Sequence, residues 1–314
     1  MAELSIKLIC ETGESFFVEK IVSYELSSSV SAPCDGLRLN FTASEPLPVI
    51  TGVEAYCEGA LIFSGLCDTQ REENTGQDVK CFIYARSSAC ILTDNEAEPC
   101  TYDAPTARSL FIVNAEKYGF KFSMEDIAFT GKYTVMKGCS CYSAINRLVS
   151  SVSGRNVLIT PDGRLTLPVT DTVYKADAGD VISCRKIINR GAPLSEIDYK
   201  TASDSTYCRH IKSRYFESQG IKRTKKANLS AMFDRERTVE LKRMLKEAAK
   251  EYEKLEISLT GLHGIKLYDG IDFEGGNAEG YYTSSVLRVL DKNGERTVVT
   301  LVKEHDTEEI IYVD

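Results

Sequence analysis

Leu4, Ile6, Leu8 and Cys10 occupy alternate positions near the start of the chain. A period of two puts every second side chain on one face of a strand and cannot form one face of a helix. The pattern recurs at Leu37, Leu39 and Phe41. It returns at Val79, Cys81 and Ile83, against Lys80, Phe82 and Tyr84 on the other face. Between these runs, Tyr56 to Leu66 reads as a hairpin turning at Glu58-Gly59. Strands at this spacing, punctuated by Gly, Ser and Asp, predict an antiparallel barrel or sandwich over residues 1–88.

The alternation then lapses. Arg86 to Thr93 reads as a short helix. Asp103 ahead of Pro105 fits a helix start, with Leu110, Phe111 and Val113 following and Gly119 ending the segment. From Ser140, the residues Cys141, Ala144, Ile145, Leu148, Val149 and Val152 fall at helical spacing, and Gly154 suits the C-terminus. Pro161-Asp162-Gly163 marks a tight turn. Residues 89–180 are therefore expected to be an α+β middle domain. Strands resume at Val181. A long helix is predicted over 230–255, with Leu241, Leu245, Ala248, Tyr252 and Leu255 as its apolar stripe. Glu240–Arg243, Glu247–Lys250 and Glu251–Lys254 are i,i+3 pairs on its wet side. Asn293-Gly294 signals a hairpin near the end. The expected plan is α+β and β-rich. Residues 181–229 and 256–314 make a second antiparallel barrel, with helix 230–255 inserted.

Charge narrows the function classes. The formal net charge is −8, so no global basic field attracts nucleic acid. Glu3 stands where a secretory leader is basic, and Leu4, Ile6 and Leu8 alternate instead of forming an apolar block. No run approaches the roughly 18 apolar residues of a membrane span. Cytoplasmic synthesis without membrane insertion is expected. The 11 cysteines are an odd number, and Cys10, Cys57, Cys67, Cys81 and Cys141 fall on apolar positions. They read as small, reduced core residues.

Candidate chemistry is sparse. Cys139 and Cys141 flank Ser140, a natural helix cap, and no second cysteine pair stands nearby to complete a zinc site. His210, His263 and His305 are isolated in the sequence, and none lies in a glycine-flanked nucleophile turn. Asp94, Glu96 and Glu98, and the run Glu304-His305-Asp306, read as solvated acids at element ends. Gly275-Gly276 to Gly280 opens no helix and so lacks phosphate-loop geometry. Lys222, Arg223, Lys225 and Lys226 form a short basic patch suited to a protein contact or a solvated turn. No catalytic, cofactor-binding or metal-binding residue is assigned, and a non-enzymatic role is expected.

Three segments in order resemble the phage tail baseplate hub family, also called the late control protein D family. The first is Gly59-Ala-Leu-Ile-Phe-Ser-Gly-Leu-Cys-Asp68, leading to Val79-Lys-Cys-Phe-Ile-Tyr-Ala-Arg-Ser87 and Ala89-Cys-Ile-Leu-Thr-Asp94. The second runs from Cys141-Tyr-Ser-Ala-Ile-Asn-Arg-Leu148 through Gly154 to Asp162-Gly-Arg-Leu-Thr-Leu167. The third spans Tyr281 to His305. The resemblance implies two tube-protein-like barrels per chain. It further implies a homotrimeric, pseudo-six-fold ring that adapts a six-fold tail tube to a three-fold spike. Implied partners are a tail tube or tube-initiator protein, a spike, a baseplate wedge and a tape-measure protein. No specific nucleic acid is expected, and the particle would be a phage tail, a prophage tail or a contractile injection system. Relatives that carry a spike or lysozyme extend further, so those functions are expected on separate proteins. The alternative is a tail-tip cell-wall hydrolase using carboxylates such as Glu96 and Asp306.

Overall fold

In a computed structural model, the described residues are 4–74, 76, 78–168, 172–230, 234–273, 278–303, 305 and 309–313. Seven strands open the chain: β1 Leu4–Cys10, β2 Ser15–Phe17, β3 Lys20–Ser29, β4 Ala32–Ala43, β5 Ile50–Cys57, β6 Ala60–Asn74 and β7 Val79–Ser87. A mixed segment follows: α1 Cys90–Asp94, β8 Cys100–Asp103, α2 Ala107–Asn114, β9 Lys121–Phe122, β10 Lys132–Val135, α3 Cys141–Ser153, β11 Leu158–Ile159, β12 Arg164–Thr166 and β13 Val173–Ala176. Next come β14 Val181–Ile188, β15 Glu196–Lys200, β16 Arg209–Ser213, α4 Arg214–Ser218, β17 Thr224–Asn228 and α5 Asp234–Lys250. The chain ends with β18 Glu253–Thr260, β19 Gly270–Phe273, β20 Tyr281–Asp291, β21 Gly294–Lys303 and β22 Glu309–Val313.

The fold is α+β and dominated by antiparallel strands. Eleven of them form one sheet in the order β14-β18-β21-β20-β3-β4-β7-β6-β5-β1-β2. The two β-rich blocks are therefore continuous. Their seam is the β3–β20 pair, in register from Tyr24↔Leu290 to Ser29↔Ser285. Tyr24 Oη donates to Glu295 Oε1 across it at 2.7 Å. Each block curls around its own core. Ile6, Leu8, Leu37, Leu39, Phe63 and Ile83 fill the first; Ile257, Leu259, Val286, Val299 and Leu301 fill the second. The alternating residues of the sequence point inward, as period two requires.

The mixed segment has a separate core built from α1, α2 and α3, including Leu92, Leu110, Phe111, Cys141, Ile145 and Leu148. The cap of α2 is Thr106, not Asp103. Thr106 Oγ1 accepts from Ser109 N, and Ser109 Oγ accepts from Thr106 N, a reciprocal capping box. Gly154 ends α3 with φ 72°, a conformation that favours glycine.

The segments expected in a second barrel divide among three sheets, β19 pairing with β13 outside the two larger ones. β14, β18, β20 and β21 belong to the eleven-stranded sheet, whereas β17-β15-β16-β22 form a four-stranded sheet. The physical reason is the apolar stripe of α5. Leu241 and Leu245 need cover, and Ile197, Tyr199 and Ile211 of the smaller sheet provide it. The helix also ends at Lys250, before Tyr252 and Leu255. Leu255 sits on the alternation Leu255, Ile257, Leu259 of β18, which bury in turn. A strand of period two here happened to extend a stripe of helical spacing.

Candidate functional site

The stretch from Tyr84 to Glu98 is the hinge point between the first β-rich block and the mixed segment. β7 continues through Ser87, and only Cys90–Asp94 is helical. At this junction Arg86 is held from two sides. Its Nε and Nη2 donate to the Asp68 carboxylate, and its Nη1 and Nη2 reach Asp94 Oδ1 and Oδ2 at 3.0 and 2.7 Å. Such two-pronged pairs are the strong kind of ionic hydrogen bond. Asp94 and then Asp68, by these hydrogen bonds, hold Arg86 still more firmly protonated than usual. The same contact pulls the Asp94 carboxyl below the ordinary carboxylate range. Asp94, expected to be solvated, is thus an anchor, and Arg86 is more than the end of a strand.

Gly65 belongs to the same unit. β6 and β7 slip register between Cys67 and Thr69, which brings Asp68 to the Arg86 side. A Cβ on Gly65 would lie 2.0 Å from the Arg86 carbonyl oxygen. The Gly-x-x-Asp of β6 and the Ala-Arg-Ser of β7 are therefore one packing motif. Its glycine permits close strand approach and its aspartate receives the arginine.

Glu96 ties this junction to the start of α3. Its Oε1 accepts from Gly138 N at 2.5 Å, Ala97 N donates to Cys139 O at 2.8 Å, and Cys141 N donates to Asn95 O at 2.9 Å. Ser140 caps α3, accepting from Ser143 N at 3.1 Å. Cys141 and Cys90 are buried, and burial pushes both thiols up. These are inert packing thiols. Glu98 is exposed.

The histidines have structural settings. His263 is buried between Tyr174 Oη and Thr260 O, each 2.9 Å from a ring nitrogen. His305 sits among the rings of Tyr215, Phe216 and Tyr252, and burial lowers its pKa. Its sequence neighbours Glu304 and Asp306 lie outside the described residues, as do Gly275 and Gly276. His210 is not isolated in space. Its Nδ1 lies 2.8 Å from Asp198 Oδ1 and 3.2 Å from Glu196 Oε1. The β15–β16 register, Asp198↔His210, brings them together. Among the described residues this is the one group whose ligand atoms stand close enough to share a metal. Lys212 Nζ at 3.8 Å from Glu196 adds positive charge there, which favours an ion-pair cluster over a cation. Sequence reasoning missed this trio because only the strand register makes it. Alternate acids at 196 and 198 facing a histidine strand were the available signal. Lys225 and Lys226 of the basic patch stand exposed on β17, with Lys226 Nζ 5.6 Å from the Tyr207 ring.

The margins of the large sheet are the clearest candidate interface. β14 is its outermost strand on one side, and every residue from Ile182 to Ile188 is exposed. Ile182 is 57% and Ile188 48% exposed. At the opposite margin, next to β1, stands β2, where Phe17 is 57% exposed. Exposed Glu11, Glu14 and Glu19 flank β2, and β14 carries Arg185 and Lys186, which pair with Glu256 and Glu253 of β18. No described helix is long and apolar enough to cross a membrane.

No protein-family profile matches the chain, and no curated protein matches it by sequence. Solved structures do match. A tail protein from Neisseria meningitidis MC58 aligns with a TM-score of 0.74 at 15% identity, covering 96% of each chain. The 43 kDa tail protein of prophage MuSo2 from Shewanella oneidensis aligns with a TM-score of 0.77 at 13% identity, covering 96% of this chain and 98% of that one. The E. coli c3393 protein is a type VI secretion component described as structurally similar to the T4 tail proteins gp27 and gp5. It aligns with a TM-score of 0.56 at 9% identity, over 94% of this chain and 76% of that one. The eleven-stranded sheet, the mixed segment and the smaller sheet on α5 together make a fold shared with tail proteins, one of them from a prophage, and with a type VI secretion component.

Proposed function

We propose that the chain is a structural baseplate hub of a phage tail or tail-like particle. In this reading, three copies form a pseudo-six-fold ring between a six-fold tail tube and a three-fold spike. The likeness to tail proteins along nearly the whole chain supports it, because both β-rich blocks take part. The observation that carries the ring is the pair of open sheet margins. A strand such as β14, paired with β18 on one edge only and exposing Ile182 and Ile188, is an aggregation hazard unless something covers its open edge. A second copy presenting its β2 margin, with exposed Phe17, to the β14 margin, with exposed Ile182 and Ile188, would cover it. Repetition of that contact is heterologous, and a rotation that closes gives a ring. The seam between the blocks gives each copy two tube-like lobes side by side, which suits six-fold pseudo-symmetry from three chains.

The partners are a tail tube or tube-initiator protein, a spike, a baseplate wedge and a tape-measure protein. Synthesis in the bacterial cytoplasm precedes incorporation into the tail baseplate. The role is assembly, not turnover. Glu96, which the hydrolase alternative needs as a free acid, is an acceptor for Gly138 N in this fold. Native mass measurement of the purified protein, alone and with the tube protein of the same particle, tests the proposal. A trimer that binds tube protein is expected. A strict monomer that binds neither tube nor spike component overturns it.

A further inference from the structure

A cavity of about 400 Å³ opens where the first block, the mixed segment and the second block meet. Its walls are apolar: Val30, Leu61, Ile62, Leu158, Ile159 and Leu267 line it. Four charged side chains line it: Asp35, Asp162, Lys266 and Arg288. Arg288, from β20, is 5% exposed. Its Nε donates to His263 O at 3.0 Å and its Nη2 to Ile265 O at 2.6 Å. Among the described residues, those two carbonyls are its only hydrogen-bond partners, and no carboxylate lies within ion-pair distance. Asp35, from β4, lines the same cavity beside Ser28, and its backbone N–H donates to Ser87 Oγ at 3.0 Å. Lys266 and Asp162 also line the cavity, and Asp162 is occupied by Arg164.

A buried guanidinium without a carboxylate is costly, and natural proteins keep such a charge where something pairs with it. Three of the five N–H donors of an arginine remain after two carbonyls are served. Asp35 acts on Arg288 through space but does not touch it. A ligand that fits must bring an oxyanion to Arg288, an apolar body to the walls and, for Asp35, a hydrogen-bond donor. An apolar residue at the free C-terminus of a protein has all three: the terminal carboxylate, the side chain and the backbone N–H. Pockets of this size, apolar with a few converging polar groups, are the usual form of a binding site.

We propose that this three-way cavity captures the C-terminal residue of a partner protein, an apolar residue whose free carboxylate pairs with Arg288. Seated there, it would pin the three parts of the chain to one another. The inference is independent of the hub reading, because the assay contains no tube or spike component.

The test is fluorescence anisotropy with two labelled pentapeptides of one sequence ending in Leu, one with a free carboxylate and one with a C-terminal amide. The free acid is expected to bind at least about tenfold more tightly, the worth of a charge-assisted pair. Arg288→Met and Ala32→Trp, the latter placing a bulky ring at a lining position, are each expected to weaken the free acid by a similar factor. The full-length protein is used throughout, with its melting profile recorded. If the variants fail to fold, the acid-against-amide comparison on the unaltered protein decides alone. Equal binding of acid and amide, or no binding at millimolar peptide, overturns the proposal. If N-acetyl-leucine binds as tightly as the pentapeptide, the cavity is a small-molecule site and the assignment to a protein C-terminus fails.

Discussion

Replacing Gly65 with alanine is the most severe single test of the junction. The new Cβ would stand 2.0 Å from the Arg86 carbonyl oxygen and 2.7 Å from its carbon. A carbon and a carbonyl oxygen approach to about 3.3 Å at closest, so β6 and β7 must part by more than about 1 Å here. Backbone cannot swing aside as a side chain can. That parting stretches the ladder at Gly65↔Ser87 and Leu66↔Arg86 and moves Arg86 away from Asp68. Overpacking costs about 1–3 kcal/mol. Two weakened backbone bonds add about 1 kcal/mol each, for a total of about 4 kcal/mol. The backbone angles at Gly65 are not the issue, because its φ lies outside the left-handed region. Gly52→Ala on β5 is the matched control: its Cβ would meet the end of the Ile9 side chain at 3.4 Å, at a cost below about 1 kcal/mol. Circular dichroism melts of both variants provide the assay. Gly65→Ala should fall about 8–16 °C, at about 2–4 °C per kcal/mol for a domain of this size, while Gly52→Ala stays near the unaltered protein. If the two variants melt within 2 °C of each other, the argument from close strand approach is wrong.

Asp35→Asn should stabilise the protein at pH 8 and leave it unchanged at pH 4. Burial raises the folded pKa from 3.8 to about 6, so stability falls as pH climbs through that window, and the cost above it is about 2 kcal/mol once solvent in the cavity is allowed for; denaturation curves at the two pH values check the sign. Arg86→Lys keeps the charge but loses the two-pronged contacts, and should cost about 1–2 kcal/mol by urea denaturation. Ile182→Lys combined with Ile188→Lys should leave the melting temperature intact, because both residues are exposed, yet abolish the proposed trimer in native mass spectra. Under native conditions iodoacetamide should label Cys100 and Cys184, both exposed, well before the buried Cys90 and Cys141. Peptide mapping would show the order.

Local pattern and tertiary placement divide the molecule cleanly. The strands β1, β4 and β7 were legible because one buried face imposes period two on the residues that fill it. The helix α3 was legible from its apolar spacing, with Ser140 and Gly154 at its ends. Where two periods overlapped, as at Leu255, the sequence misplaced a boundary, because a residue shared by both patterns carries no local sign of which one wins.

The order of Gly65, Asp68, Arg86 and Asp94 was visible as a resemblance, but its meaning was not. A 2.0 Å approach and a doubly held guanidinium exist only once β6 lies beside β7. The same holds for Asp198 and His210, for Arg288 facing an apolar cavity, and for the seam of β3 with β20, which joins residues more than 250 apart. What the sequence determined by itself is which segments are strands or helices and which faces they bury, since that follows from spacing along the chain. Only the tertiary structure decided that two β-rich blocks are one sheet with two open margins. Pairing between distant strands depends on register and packing that no local window contains.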